Sequence, residues 1–194
     1  MRRMAELALA VSFVGLAYAA EALEISLQHG STPERRTRDQ LLEVLKRYDT
    51  QRWTFTRKII IDEGAIPHSH PVLTLHTRHL GEDLLLLSTY VHEQIHWYEE
   101  SKPKQRAAAL AELKKLYPEV PVGFPEGAGG EESSYLHLIV CYDEYQAMKS
   151  LVGERQATEI MRRWSEDHYR WVYRKVLEDE ARLRAVVEEN ELGL

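Results

Sequence analysis

One cysteine, three phenylalanines and no run of basic residues mark what this 194-residue sequence does without. Cys141 alone cannot close an internal disulfide, so the fold must rest on an apolar core. Its place at the end of Leu138-Ile139-Val140 reads as a buried core thiol. Lysine and arginine total 25 against 31 aspartates and glutamates, a formal net charge of −6. Such a chain lacks the basic face that phosphate backbones require, which sets nucleic acid aside as a partner. Internal repeats and low-complexity segments are also missing. A hydrophobic content of 44% is enough for one domain to bury a core unaided.

The first residues differ from all that follow. Arg2 and Arg3 give a positive start, Leu7 to Ala19 is an apolar run of 13 residues, and Ala17-Tyr18-Ala19 has the form of a cleavage site. The run is short for a membrane span, which needs about 20 residues. Residues 1–19 therefore read as a secretory signal peptide, and 20–194 as a single domain that is periplasmic or secreted, without stable membrane insertion. The alternative is a buried N-terminal helix, which Glu6 beside the apolar run keeps open.

What the sequence does have is Ser88 to Glu100, STYVHEQIHWYEE, with His92, Glu93 and His96 in the order H-E-x-x-H. On a helix, positions i and i+4 share a face, so two imidazoles can reach one metal ion. Glu93 lies close to that face, where a carboxylate can take a proton from a water held by the metal and pass it to a leaving group. Leu84 to Leu87 and Val91 make the preceding turns apolar, and Glu82 and Asp83 sit where the helix dipole favours anions. The pattern predicts a buried helix over about 82–100.

Thr32 and Pro33 open an amphipathic helix to about Tyr48, with Leu41, Leu42 and Leu45 on one side. Trp53 to Ile61 and Val72 to Thr77 have strand character, separated by a loop rich in Gly and Pro. His68, His70, His76 and His79 crowd this region, but no carboxylate or cysteine spacing makes them a second metal site. Lys104 to Tyr117 reads as a helix, 117–134 as a long connection able to border a cleft, and Tyr135 to Leu151 as a helix capped by Ser133 or Ser134. After Gly153 come a helix to Trp164 and, from the Ser165-Glu166-Asp167-His168 start signal, one long charged helix to about Glu189. The fold class expected is α+β: a mostly helical, zincin-like domain with a small β-sheet before the active-site helix.

A catalytic zinc takes three protein ligands and a water, so the two histidines need a partner. The helix over 135–151 offers Glu144 and His137, two turns apart on one face and roughly 10 Å apart along the axis. Either can ligate; both cannot reach one ion without distortion.

His92-Glu93-x-x-His96 followed by Glu144-Tyr145-Gln146-Ala147 resembles the gluzincins, the H-E-x-x-H metallopeptidases whose third ligand is a glutamate on a second helix, thermolysin among them. The chain also resembles a bacterial group of zincin-like proteins. The resemblance covers about 72–150 and implies Glu144 as the preferred third ligand, with His137 the alternative, and an edge strand lining the cleft, which Val72 to Thr77 could supply. Met148 stands where gluzincins often carry an acid, so Asp143 or Glu99 is left to support the histidines.

His168-Tyr169-x-x-x-Tyr173 offers donors for a developing oxyanion, with His168 and Tyr173 as the candidates. The sequence thus predicts a zinc-dependent hydrolase, a metallopeptidase acting on a peptide or protein, with Glu93 as general base. A non-catalytic zinc-binding or interaction protein on the same scaffold is the alternative. Glu93 argues against it, because a structural site would use a fourth protein ligand instead.

Overall fold

The computed structural model describes residues 23–194; the signal-peptide reading of 1–19 lies outside them. Three short parallel strands, β1 (Glu24–Leu27), β2 (Lys58–Ile61) and β3 (Leu73–Leu75), form a sheet in the order β1-β2-β3. The described residues also form seven helices, of which the first two pack on the sheet: α1 (Thr32–Arg47), α2 (Asp83–Glu100), α3 (Pro103–Leu116), α4 (Glu131–Val152), α5 (Glu154–Asp167), α6 (Arg170–Glu178) and α7 (Glu180–Glu189). The fold is α+β and mostly helical, as the sequence predicts. None of the described helices is long and apolar enough to cross a membrane.

Helix α1 starts on a capping box, Ser31 with Glu34, and buries Thr37, Leu41 and Val44. Its apolar stripe is thus centred one position away from Leu42, which stays exposed. The expected strand over Trp53 to Ile61 is only half formed. Gln51–Trp53 is a 3₁₀ turn, and the amide of Gln94 on α2 takes up the backbone of Phe55 and Thr56 in place of a sheet neighbour. β1 had no clear sequence signal, since its residues alternate between exposed and half-buried at a sheet edge.

Helices α2 and α4 form the centre. Leu86, Leu87, Tyr90, Val91 and Ile95 of α2 are buried, as are Leu138, Ile139, Val140, Cys141 and Met148 of α4. Helix α4 begins at Glu131 rather than after Ser133 or Ser134. Both serines hold the preceding loop instead: Ser134 Oγ donates to the Pro121 carbonyl (2.6 Å) and accepts from Ala128 N (3.0 Å), while Ser133 Oγ donates to Ala128 O (2.9 Å). The approach is close enough that a Cβ on Gly127 would sit 2.0 Å from the Pro121 oxygen.

The long C-terminal helix expected from Ser165 onward is divided. Helix α5 runs on to Asp167, Tyr169 takes a left-handed conformation (φ 47°, ψ 39°), and a further break at Asp179 separates α6 from α7. The first amides of α6, at Arg170 and Trp171, bond to the carbonyls of Pro125 and Glu126, so the 117–130 loop caps this helix.

Between α2 and α4 lies a pair of buried carboxyls, Glu99 and Asp143. Both oxygens of Glu99 and Oδ2 of Asp143 have no hydrogen-bond partner among the described residues. Burial pushes both groups well above the ordinary carboxyl range, and Asp143 adds to the effect on Glu99. Each holds its proton more tightly folded than unfolded. The stability this lends is complete below about pH 4 and is lost as pH rises toward the raised folded values. Glu99→Gln should therefore narrow the gap in unfolding free energy between pH 5 and pH 8, each pKa unit of displacement being worth about 1.4 kcal/mol. Urea denaturation of both proteins at the two pH values measures this, and an unchanged gap would show that Glu99 ionises freely.

Candidate metal centre

His92 and His96 stand one turn apart on α2, and His137 faces them from α4. Their ring centroids form a nearly equilateral triangle, 5.1 Å from His92 to His96, 5.5 Å from His92 to His137 and 5.1 Å from His96 to His137. One nitrogen from each lies within 4.8 Å of the others, so the three can hold a metal ion. The tautomers follow from their partners. His92 Nδ1 donates to Glu144 Oε2 at 2.9 Å, and His137 Nδ1 donates to the Ser133 carbonyl at 2.7 Å, which leaves Nε2 as the nitrogen of each ring that can meet an ion. Burial holds His96 well below its usual range and His137 down to about 3, so both are neutral, as ligands must be.

Glu144 occupies a different place from the one the gluzincin resemblance implies. One carboxylate oxygen accepts from Ser88 Oγ; the other accepts from His92 Nδ1 and from the Tyr173 hydroxyl, both at 2.9 Å. Ser88 in turn accepts from Trp164 Nε1 at 2.9 Å. Glu144 therefore sits behind His92, on the Nδ1 side, and fixes that ring. Burial alone would lower the His92 pKa, but its contacts with Cys141 and Glu144 outweigh this and raise it well above the usual value. A carboxylate that favours a second proton, and so a positive charge, on the ring equally favours a cation at Nε2 in that proton's place.

Two further groups come within ligating distance. His92, Cys141 and Glu144 do so on the Nδ1 side, but burial pushes the Cys141 thiol up to about 11, so it stays protonated at neutral pH. His29, Glu34 and Asp62 do so near the start of α1, where three backbone amides already occupy the buried Glu34 carboxylate. The loop histidines form no such group among the described residues. His68 bonds to Ile66 O, His70 to Ser69, and His76 accepts from the Arg78 amide.

A cleft of about 320 Å³ opens beside His92, lined also by Glu93, His168, Tyr169, Ile66 and Phe124 among others. Glu93 makes no side-chain hydrogen bond among the described residues, and burial pushes its carboxyl up to about 7, the range suited to proton transfer near neutrality. The wall on the sheet side is Ile66 and Pro67 rather than the strand expected over Val72 to Thr77. β3 is wholly buried, and His68 pairs antiparallel with its Thr74, so the loop stands between strand and cleft.

His168 and Tyr173 both reach the cleft, but their polar atoms are engaged. His168 Nδ1 donates to Asp167 Oδ2 at 2.8 Å, which makes Nε2 an acceptor in the neutral ring that burial favours. The Tyr173 hydroxyl is committed to Glu144. Tyr169, between them in sequence, has its ring 4.4 Å from that of His137 and a hydroxyl with no hydrogen bond among the described residues. Helical spacing gave no warning of it, because its position comes from the left-handed break between α5 and α6.

Tyr173→Phe removes one of three donors to a buried carboxylate. It should cost about 1.5–3 kcal/mol of stability and weaken metal binding about 10–100-fold through the less firmly held His92. Urea denaturation and metal competition titration measure the two effects.

Comparison with protein-family models, with curated proteins and with solved structures finds no match to this chain, so the likeness to gluzincins remains one of motif.

Proposed function

We propose that this protein is a zinc-dependent hydrolase, and most specifically a peptidase, whose metal is held by His92, His96 and His137. The observation that carries the reading is the convergence of three imidazoles, one of which, His92, lines a cleft together with Glu93. The donor set supports zinc: three neutral nitrogen ligands leave a fourth position for water or substrate, the pattern of catalytic rather than structural sites. Zinc bound there would polarise a substrate carbonyl and make water acidic enough to attack near neutral pH.

The chain's own residues divide the remaining work. Glu93 takes the proton of the attacking water and delivers it to the departing amine. Tyr169 donates to the oxygen on which negative charge develops. Glu144, braced by Ser88 and Tyr173, keeps His92 Nε2 aimed at the metal. His168, with Nδ1 given to Asp167 and Nε2 an acceptor, does not donate to that oxygen. Export from the cytoplasm belongs to the same proposal and rests on Arg2, Arg3 and the apolar run to Ala19.

Two measurements test this reading. His137→Ala should lose most zinc at neutral pH, while Glu144→Gln should keep it with affinity lowered about 10–100-fold; metal analysis after dialysis reads both, and the reverse order would return the third ligand to Glu144. Glu93→Gln should retain zinc and lose about 10²- to 10⁴-fold in turnover. A digest of a broad peptide library by wild type and variant reads the second, and cleavage undiminished in the variant would reject Glu93 as the base.

A further inference from the structure

Arg78 is the one lysine or arginine lining the cleft among the described residues. It stands on the 3₁₀ turn Thr77–His79, immediately before α2, and its position is set at both ends. Its amide donates to His76 Nδ1 at 2.7 Å, and Nη2 donates to Asp167 Oδ2 at 2.7 Å, the same oxygen that accepts from His168. Nε and Nη1 have no partner among the described residues, and the side chain is 44% exposed. A guanidinium can take carboxylates along two edges, so one edge held by Asp167 leaves the other oriented and available.

The rest of the cleft sets what else a ligand must carry. Ile66 and Phe124, on the two loops that border it, are 86% and 66% exposed, an apolar rim that an apolar group would cover. Among the described residues the only carboxylates lining the cleft are Glu93 and Glu144, and Glu144 is fully engaged by its three donors. An ammonium group would therefore compete for the general base, whereas a carboxylate has a site of its own. From the metal centre toward Arg78 the contacts run through Tyr169 and His168, whose rings are 4.7 Å apart, and then Asp167.

We propose that Arg78 receives a carboxylate of the substrate while an apolar side chain of the same molecule lies against Ile66 and Phe124. This rests on the hydrolase reading and narrows its substrate to peptides that place a carboxylate beside a bulky apolar residue near the scissile bond. A free C-terminus and an acidic side chain both supply that chemistry.

Calorimetric titration of the full chain, stripped of metal by a chelator, tests the site apart from catalysis. The probes are N-acetyl-phenylalanine, its neutral amide, and N-acetyl-aspartyl-phenylalaninamide, whose only carboxylate is a side chain. At least one carboxylate probe should bind ten-fold or more tightly than the amide, and which one does so identifies the source. Arg78→Gln should abolish that preference and Arg78→Lys restore part of it. Equal affinity for the amide, a preference unchanged in Arg78→Gln, or no binding of any probe would overturn the proposal. None of these results depends on metal, so they stand apart from the zinc and turnover measurements.

Discussion

The buried carboxylate of Glu144 is the constraint on which the centre of this molecule depends. A charge removed from water must be compensated by hydrogen bonds, and here the donors come from three other helices or reach through them. His92 and Ser88 belong to α2, Tyr173 to α6, and Trp164 on α5 closes the chain through Ser88. One carboxylate on α4 thus fixes where α2, α5 and α6 stand. The same contacts that compensate its charge give His92 a single tautomer and one orientation. Structural and chemical demands are met by the same atoms.

The cleft arises from breaks in regular structure rather than from the helices themselves. Tyr169 turns the chain through a left-handed residue, α6 starts on carbonyls of the 117–130 loop, and that loop is tied to the first turn of α4 by Ser133 and Ser134. Phe124 and Tyr169 are brought together by this arrangement, with ring centroids 5.7 Å apart. A connection rich in Gly and Pro, which composition alone would allow to be loose, is held at both ends by hydrogen bonds. It contributes the apolar surface of Phe124 to the lining of the cleft.

Glu99 and Asp143 show the reverse of Glu144. They too are buried, Glu99 on α2 and Asp143 on α4, yet lack the donors that Glu144 has. Where Glu144 meets its surroundings as an acceptor, these two favour their protonated forms. A gluzincin-like reading that assigns either of them to support the metal ligands thus misplaces them, since no hydrogen bond joins them to a histidine among the described residues.

His92, Glu93 and His96 were legible in the sequence because their relationship is set by helical periodicity alone, and so was the burial of α2, because its apolar residues surround the helix. The mostly helical α+β class followed from the same local patterns. The choice between His137 and Glu144 was not legible. Both lie on the inner face of α4, and which of them joins His92 and His96 in a group able to hold an ion depends on how far α4 is displaced along α2. That displacement is decided by where Ser88, Trp164 and Tyr173 find an acceptor. The same holds for Tyr169: a left-handed residue between two helices carries no periodic signal, and its place beside His137 exists only once α6 is capped by the 117–130 loop. Local order is written in residue spacing, whereas partners distant in sequence are assigned only when buried polar groups compete for one another in the packed chain.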